Sequence, residues 1–181
     1  MISCMRTLIF ALLFSASGCT FHSPQLDRVM GLFGQQQNVD DFIADGVWEM
    51  FWNGEQLPTW SMQQGNGGTF VAENRTELSF NGFFFTQIKR LPGVNGVIDI
   101  NLVNPDAPAM EFRVEGNLVG SFPCQPYITQ TLADGNTQWT LPCGDSNFSF
   151  SNRLVVTSEG RIVSLNFLLH PGFAPVTLTR R

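Results

Sequence analysis

The sequence predicts an all-β protein, a large antiparallel meander curled into a barrel or a two-sheet sandwich. Three observations support this fold class: apolar and polar residues alternate along several short segments, tight-turn signals separate those segments, and 17 Gly and 10 Pro are spread along the chain. Hydrophobic residues make up 43% of the 181 residues and charged residues 14%, which is too apolar for a disordered chain. After residue 44 we expect roughly ten to twelve short strands and no helix.

The first residues carry the pattern of a secretory signal. Arg6 precedes the apolar run of residues 8–14, and small residues follow up to Cys19. The run is too short for a permanent membrane-spanning helix, which needs about 20 apolar residues. The sequence Ala-Ser-Gly-Cys that ends at Cys19 resembles the lipobox of bacterial lipoproteins, although Ala16 stands where that motif usually has Leu. The alternative is an ordinary signal peptide with an incidental Cys.

The lipobox resemblance implies cleavage before Cys19 and acylation of its thiol. Two or three acyl chains hold a protein firmly at a membrane, since each buried methylene contributes about 0.8 kcal/mol. The next residue is Thr20 rather than Asp, which by the sorting rule of enteric lipoproteins implies the outer membrane, with the domain facing the periplasm. We therefore divide the chain into a signal peptide (1–18), the lipidated Cys with a tether (19–44) and a single β domain (45–181).

The cysteine count predicts one disulfide in the β domain. Four Cys are present. Cys4 leaves with the signal peptide, and Cys19 takes the lipid. Cys124 and Cys143 then remain in an oxidising compartment, where they should pair. A metal site or a redox pair is the alternative, but the chain has no CxxC motif and no His near either residue.

The segment between Cys124 and Cys143 has the pattern of a β-hairpin. Strand-like runs over residues 127–132 and 137–141 flank Asp134-Gly135, a strong signal for a tight turn. Folding about this turn brings the two Cys to within about two positions of direct opposition, an offset that a β-bulge can absorb.

Other strands are predicted by alternation or by turn signals. Residues 98–102 alternate apolar with polar side chains, and residues 110–118 do the same, which is typical of strands with one solvent-facing side. Further predicted strands cover residues 47–52 before Asn53-Gly54, the Phe-rich segment 78–89, residues 154–157 and 161–169 on either side of a turn at 158–160, and residues 176–179.

Charge and motif content argue against several function classes. The formal net charge is −5, which disfavours a nucleic-acid-binding surface. His22 and His170 are far apart and predict no metal site, and the chain has neither a GxSxG nucleophile motif nor a phosphate-binding loop. We therefore expect a protein that is not an enzyme and carries no metal or cofactor.

Tryptophans and one carboxylate are the candidate ligand-binding residues. Aromatic faces stack on sugar rings, and the four Trp of the chain either do so or belong to the core: Trp48, Trp52, Trp60 and Trp139. Trp48 and Trp52 fall on one face of the same predicted strand, which favours the core for that pair. Glu49 lies in this otherwise apolar strand, either at an edge or buried with a partner. The ligand-binding candidates are therefore Trp48, Trp52, Trp60 and Glu49.

Two segments resemble one bacterial family. Residues 152–171 resemble the C-terminal hairpin of the YjbF/GfcB-type lipoproteins of group 4 capsule and exopolysaccharide operons, and residues 81–91 resemble a segment further upstream. The matching hairpin positions are Asn152, Gly160, Ile162 and Pro171. The family's Trp is missing, and Val155 stands near its place. The resemblance implies an outer-membrane lipoprotein that serves polysaccharide export, and it carries over no catalytic residues.

Together these observations predict a non-enzymatic outer-membrane lipoprotein with an accessory binding or scaffolding role in the assembly or export of surface polysaccharide. Its expected partners are the membrane, through the lipid, and polysaccharide-export proteins or a glycan. A lipocalin-like periplasmic carrier of an apolar ligand is the alternative, because a large Phe-rich barrel can enclose a ligand. An envelope hydrolase is a third class, which would need Glu49 and a second acid in one cleft.

Overall fold

The fold is described by a computed structural model that covers residues 46–64, 67–104 and 106–181. The predicted signal peptide, Cys19 and the tether lie outside these residues. The strands are, in chain order, β1 (Gly46–Trp52), β2 (Glu55–Gln64), β3 (Gly67–Ala72), β4 (Glu77–Phe80), β5 (Phe85–Lys89), β6 (Ile98–Val103), β7 (Ala109–Val114), β8 (Asn117–Pro123), β9 (Ile128–Thr131), β10 (Thr137–Gly144), β11 (Ser149–Val156), β12 (Ile162–Phe167) and β13 (Val176–Arg180).

All of the strands belong to one antiparallel sheet that curls into a half-barrel. Each strand from β1 to β8 pairs with the next along the chain, as does each strand from β9 to β13, and β13 pairs back onto β1. The sheet therefore begins at β8 and ends at β9, which are consecutive in the chain. This architecture confirms the all-β prediction. The described residues form 13 strands in a single sheet, so the sandwich alternative is not the one adopted.

Tight turns form where the dipeptide signals predicted them. Asn53 and Gly54 both have positive φ angles, 50° and 82°, as a two-residue hairpin turn requires between β1 and β2. Gly135 has a φ of 83° and follows Asp134, whose side chain accepts a hydrogen bond from the Asn136 N–H at 3.0 Å. These local interactions set the register of both hairpins.

One predicted strand is divided in two by the structure. The alternation over residues 110–118 predicts a single strand that ends at Leu118. Instead β7 ends at Val114, and Glu115 and Gly116 form a turn with φ angles of 49° and 78°. Leu118 then lies on β8, where 52% of its surface is exposed. The prediction was wrong here because a two-residue turn preserves the alternation of residue types across it, whereas the chain reverses direction.

The concave side of the sheet holds the core. Alternate residues of most strands point inward, as β3 shows with buried Gly68, Phe70 and Ala72. Phe70 contacts the ring of Trp48 with centroids 5.1 Å apart and the ring of Phe85 at 5.9 Å, both edge to face. A second group of packed aromatic rings involves side chains of β7, β8 and β11 and consists of Phe112, Phe122, Phe148 and Phe150.

No helix in the described part of the chain is long and apolar enough to cross a membrane.

Candidate binding groove beside the disulfide

The predicted disulfide joins Cys124 to Cys143. The two residues lie directly opposite each other as an isolated antiparallel bridge, with Cα atoms 4.0 Å apart. The register between β9 and β10 pairs Ile128 with Thr140, so regular pairing would place Gln125 opposite Cys143. The irregular segment that precedes β9 absorbs this offset of one residue.

Backbone hydrogen bonds at the disulfide show how the chain passes from one edge of the sheet to the other. The Cys124 N–H donates to the Pro108 carbonyl at 2.7 Å, on the β7 side. The Gln125 N–H donates to the Pro142 carbonyl at 2.9 Å, on the β10 side. The chain therefore changes its pairing partner from one residue to the next, and the disulfide holds the two edges of the curled sheet together at this point.

An open groove with a volume of about 630 Å³ lies next to the disulfide. Its wall on one side is the first half of β11 with Phe148 and Phe150, and Phe173 and Pro175 of the loop between β12 and β13 line the other side. Arg153 and Asp145 are its charged residues. The groove thus combines aromatic surface, polar side chains and strand backbone.

The groove exists because β12 ends before it reaches the beginning of β11. Pairing between β11 and β12 covers only Arg153 to Val156, whereas β10 pairs with β11 over its full length from Ser149. The continued register would place Leu168 opposite Ser151. Leu168 instead leaves the sheet, and the loop that follows carries Pro171 to within 3.0 Å of the position of a Cβ at Gly120 on β8.

Asn152 is the buried residue that terminates the pairing. Its side-chain Oδ1 accepts the Leu168 N–H at 2.9 Å, and only 2% of the residue is exposed. The side chain thereby replaces the backbone carbonyl to which β12 would otherwise bond. Its Nδ2 contacts the Met110 sulfur at 3.1 Å.

Replacing Asn152 with Ala is expected to lower the free energy of unfolding by about 2 kcal/mol, because the buried Leu168 N–H loses its acceptor. The measurement is equilibrium unfolding in urea. Asn147→Ala is the matched control, since Asn147 is exposed and its side chain makes no hydrogen bond with the described residues. Equal midpoints for the two variants would contradict the role of Asn152.

Titratable groups near the groove have shifted pKa values with identifiable causes. Hydrogen bonds from the Asn147 and Phe148 N–H groups lower the pKa of the Asp145 carboxyl, which therefore stays charged. Burial lowers the pKa of His170, and its Nδ1 accepts the Gly172 N–H at 3.0 Å. Burial raises the pKa of Tyr127, between the disulfide and β9, to about 12.

The structure does not bring the four Trp together. Trp48 is fully buried and donates its indole N–H to the Ser61 hydroxyl at 3.1 Å. Trp52 is 5% exposed and packs on Phe173. Neither indole ring is accessible to a sugar. Of the two interpretations given above for these Trp, the structure therefore shows that they belong to the core. Trp60 is 49% exposed on β2, and four strands separate it from Trp139 on β10.

Glu49 lies on the outer side of β1 with two partners. Its carboxylate forms an ion pair with Arg181 and accepts a hydrogen bond from the Gln56 side chain at 2.5 Å. Arg181 in turn donates its backbone N–H to the Val47 carbonyl, so this pair ties the last residue of the chain to β1. The sequence predicts Glu49 either at a sheet edge or buried with a partner; instead β1 is paired on both sides, and Glu49 has partners but is only half-buried. Glu49 does not line the groove.

Sequence reasoning did not find the groove. Most of its defining residues are ordinary strand and loop residues; Cys143 had a signal in the disulfide prediction, and Asn152 had one in its match to the lipoprotein hairpin. No group of three or more His, Cys, Asp or Glu side chains suited to a metal occurs among the described residues.

The fold and groove define a curled all-β domain with an open polar and aromatic cleft at a disulfide-linked seam. No protein-family model matches the chain, and no curated protein matches it. Among solved structures, it is similar to the hypothetical lipoprotein YmcC from Escherichia coli K12, with 12% identity and a TM-score of 0.50. The match covers 87% of this chain and 95% of that chain. At this identity the likeness shows a shared fold.

Proposed function

We propose that this chain is a lipid-anchored protein of the outer membrane, facing the periplasm. Its role is to bind or scaffold partners during the assembly or export of surface polysaccharide, without catalysing a reaction. The observation that carries this proposal is the fold shared with an E. coli protein described as a hypothetical lipoprotein, over 87% of this chain. The lipobox-like sequence that ends at Cys19 supports the anchor independently of the fold.

The polysaccharide role is supported by the resemblance of residues 152–171 to capsule and exopolysaccharide lipoproteins. The structure adds a physical reason for one matching position, because Asn152 terminates β12 and shapes the groove. An open groove with aromatic and charged walls suits the binding of an extended polymer.

The carrier of an apolar ligand remains the second candidate. It requires free space on the concave side of the sheet, and there the aromatic rings contact one another. Phe85 lies 5.3 Å from Phe80 and 5.3 Å from Phe167 between ring centroids. These contacts favour a packed core, and with the groove open on the surface they favour the binding or scaffolding role.

Cys19→Ala is expected to release the protein from membranes in soluble form, because no acyl chain is then attached. Membrane flotation with an immunoblot measures this. The matched variant Thr20→Asp keeps the acyl chains, and in an enteric host it should move the protein from the outer to the inner membrane. A Cys19→Ala protein that still floats with membranes would contradict lipidation.

Measuring the surface and secreted polysaccharide of a strain that lacks the gene tests the role in export. We expect a loss that wild type restores and Cys19→Ala does not. Unchanged polysaccharide in the deletion strain would contradict the export role, and mass spectrometry for a co-purifying apolar ligand would then test the carrier.

A further inference from the structure

Half of β11 has one hydrogen-bonding edge without a partner. The Pro142 carbonyl faces Gln125, so the neighbouring β10 residues Leu141 and Cys143 face β11, where they pair with Asn152 and Phe150. By the alternation of antiparallel strands, Ser149 and Ser151 direct their N–H and C=O groups away from β10 and into the groove. No described residue forms a backbone hydrogen bond with either residue on that side.

This edge is held open by buried structure. The Asn152 side chain accepts the hydrogen bond of the Leu168 N–H, which in a continued strand would donate to the Ser151 carbonyl. Leu168 and Leu169 are themselves buried after the chain leaves the sheet. β12 therefore does not continue along this edge, and the strand position beside Ser149 and Ser151 stays vacant.

The spacing of the free groups matches a polypeptide. Ser149 and Ser151 lie two residues apart on a strand, about 6.8 Å, and each presents one donor and one acceptor. An extended chain has donor and acceptor pairs at the same repeat, so it adds to a sheet edge by regular hydrogen bonds. A glycan has no polypeptide backbone, so it cannot continue the N–H and C=O ladder of the sheet.

Charge gives the direction of the added strand. Arg153 is exposed, lines the groove and has no ion-pair partner among the described residues. A strand that takes the place of β12 runs antiparallel to β11 and begins near Arg153. An acidic residue at the start of that strand would meet the guanidinium group. Asp145, at the other end of β11, is already bonded by two backbone N–H groups.

We propose that the groove binds an extended polypeptide segment of a partner protein, which pairs with the Ser149–Ser151 edge and begins with an acidic residue beside Arg153. The inference goes beyond the proposed function, because it holds for a partner in any envelope pathway. Its failure and the failure of the polysaccharide role are therefore separate results.

Amide hydrogen exchange measured by NMR on the mature full chain in detergent micelles tests the edge. In the free protein the Phe150 and Asn152 amides should be protected, whereas the Ser149 and Ser151 amides should exchange quickly. The probe is the peptide acetyl-Glu-Val-Thr-Val-Thr-amide at increasing concentration. It should protect both Ser amides, and its copy with N-methylated backbone nitrogens should not. Ser amides already protected in the free protein would overturn the proposal.

Charge reversal tests the orientation. Arg153→Glu should weaken binding of the acidic peptide about threefold, the scale of an exposed ion pair, and should strengthen binding of the same peptide with Lys in place of Glu. The control is Arg161→Glu, an exposed Arg in the turn after β11 that lies outside the groove. Equal affinities of the two peptides for wild type would overturn the acidic preference. An acidic oligosaccharide that shifts Arg153 resonances, with no peptide protecting the Ser amides, would assign the groove to a glycan instead.

Discussion

Replacing Cys124 with Ser is expected to lower the free energy of unfolding by about 3 kcal/mol. The disulfide spans a sequence separation of 19 residues, and closing a loop of this size restricts the unfolded chain by about that amount. In the folded chain the same bond fastens the β8 end of the sheet to β10, where the pairing partner of the chain changes. Urea unfolding of wild type and variant under non-reducing conditions gives the difference.

The matched controls for the disulfide are Cys143→Ser and the double variant. All three variants should have the same midpoint within error, because each removes the same bond. Wild type treated with a reductant should fall to the same value. A reduced wild type as stable as the oxidised protein would contradict a structural disulfide.

Trp48→Ala is expected to lower the free energy of unfolding by about 3–5 kcal/mol. The side chain is fully buried, packs edge to face on Phe70 and donates a hydrogen bond to the Ser61 hydroxyl, so its removal leaves a large cavity and takes away a buried hydrogen bond. The measurement is again equilibrium unfolding in urea. The Trp48→Phe variant should lose less stability than Trp48→Ala, because it retains most of the packing.

Trp60→Ala is the matched control for Trp48→Ala. Trp60 lies on the neighbouring strand opposite Val47, and 49% of its surface is exposed, so its replacement should change stability by less than about 0.5 kcal/mol. A large loss for Trp60 and a small one for Trp48 would contradict the orientation of β1.

Hairpins with strong turn dipeptides could be predicted from sequence because their cause is local. Asn53, Gly54 and Gly135 adopt positive φ angles readily whatever surrounds them, and the Asp134 side chain bonds the turn backbone. Alternation predicted β6 and β7 for the same reason, since a strand with one solvent-facing side carries its burial pattern in its residue types.

The strands that sequence analysis did not delimit are stabilised by their neighbours. β2 contains Pro58 and ends in Gln63-Gln64, which gives it little intrinsic strand character. It forms because β1 pairs with it along one side and β3 along the other. The end of β12 is equally non-local: residues 161–169 are uniformly strand-like, yet pairing stops at Phe167 because Asn152 of another strand captures the next N–H.

The sequence by itself determined the all-β class, the principal tight turns and the pairing of Cys124 with Cys143, because residue type and spacing along a few neighbouring positions are sufficient for each. The tertiary structure alone decided that Trp48 and Trp52 are core residues, that 13 strands share one curled sheet and that β11 lines an open groove. Those features depend on which strands meet, and residues far apart in the chain, such as Asn152 and Leu168, bring them about.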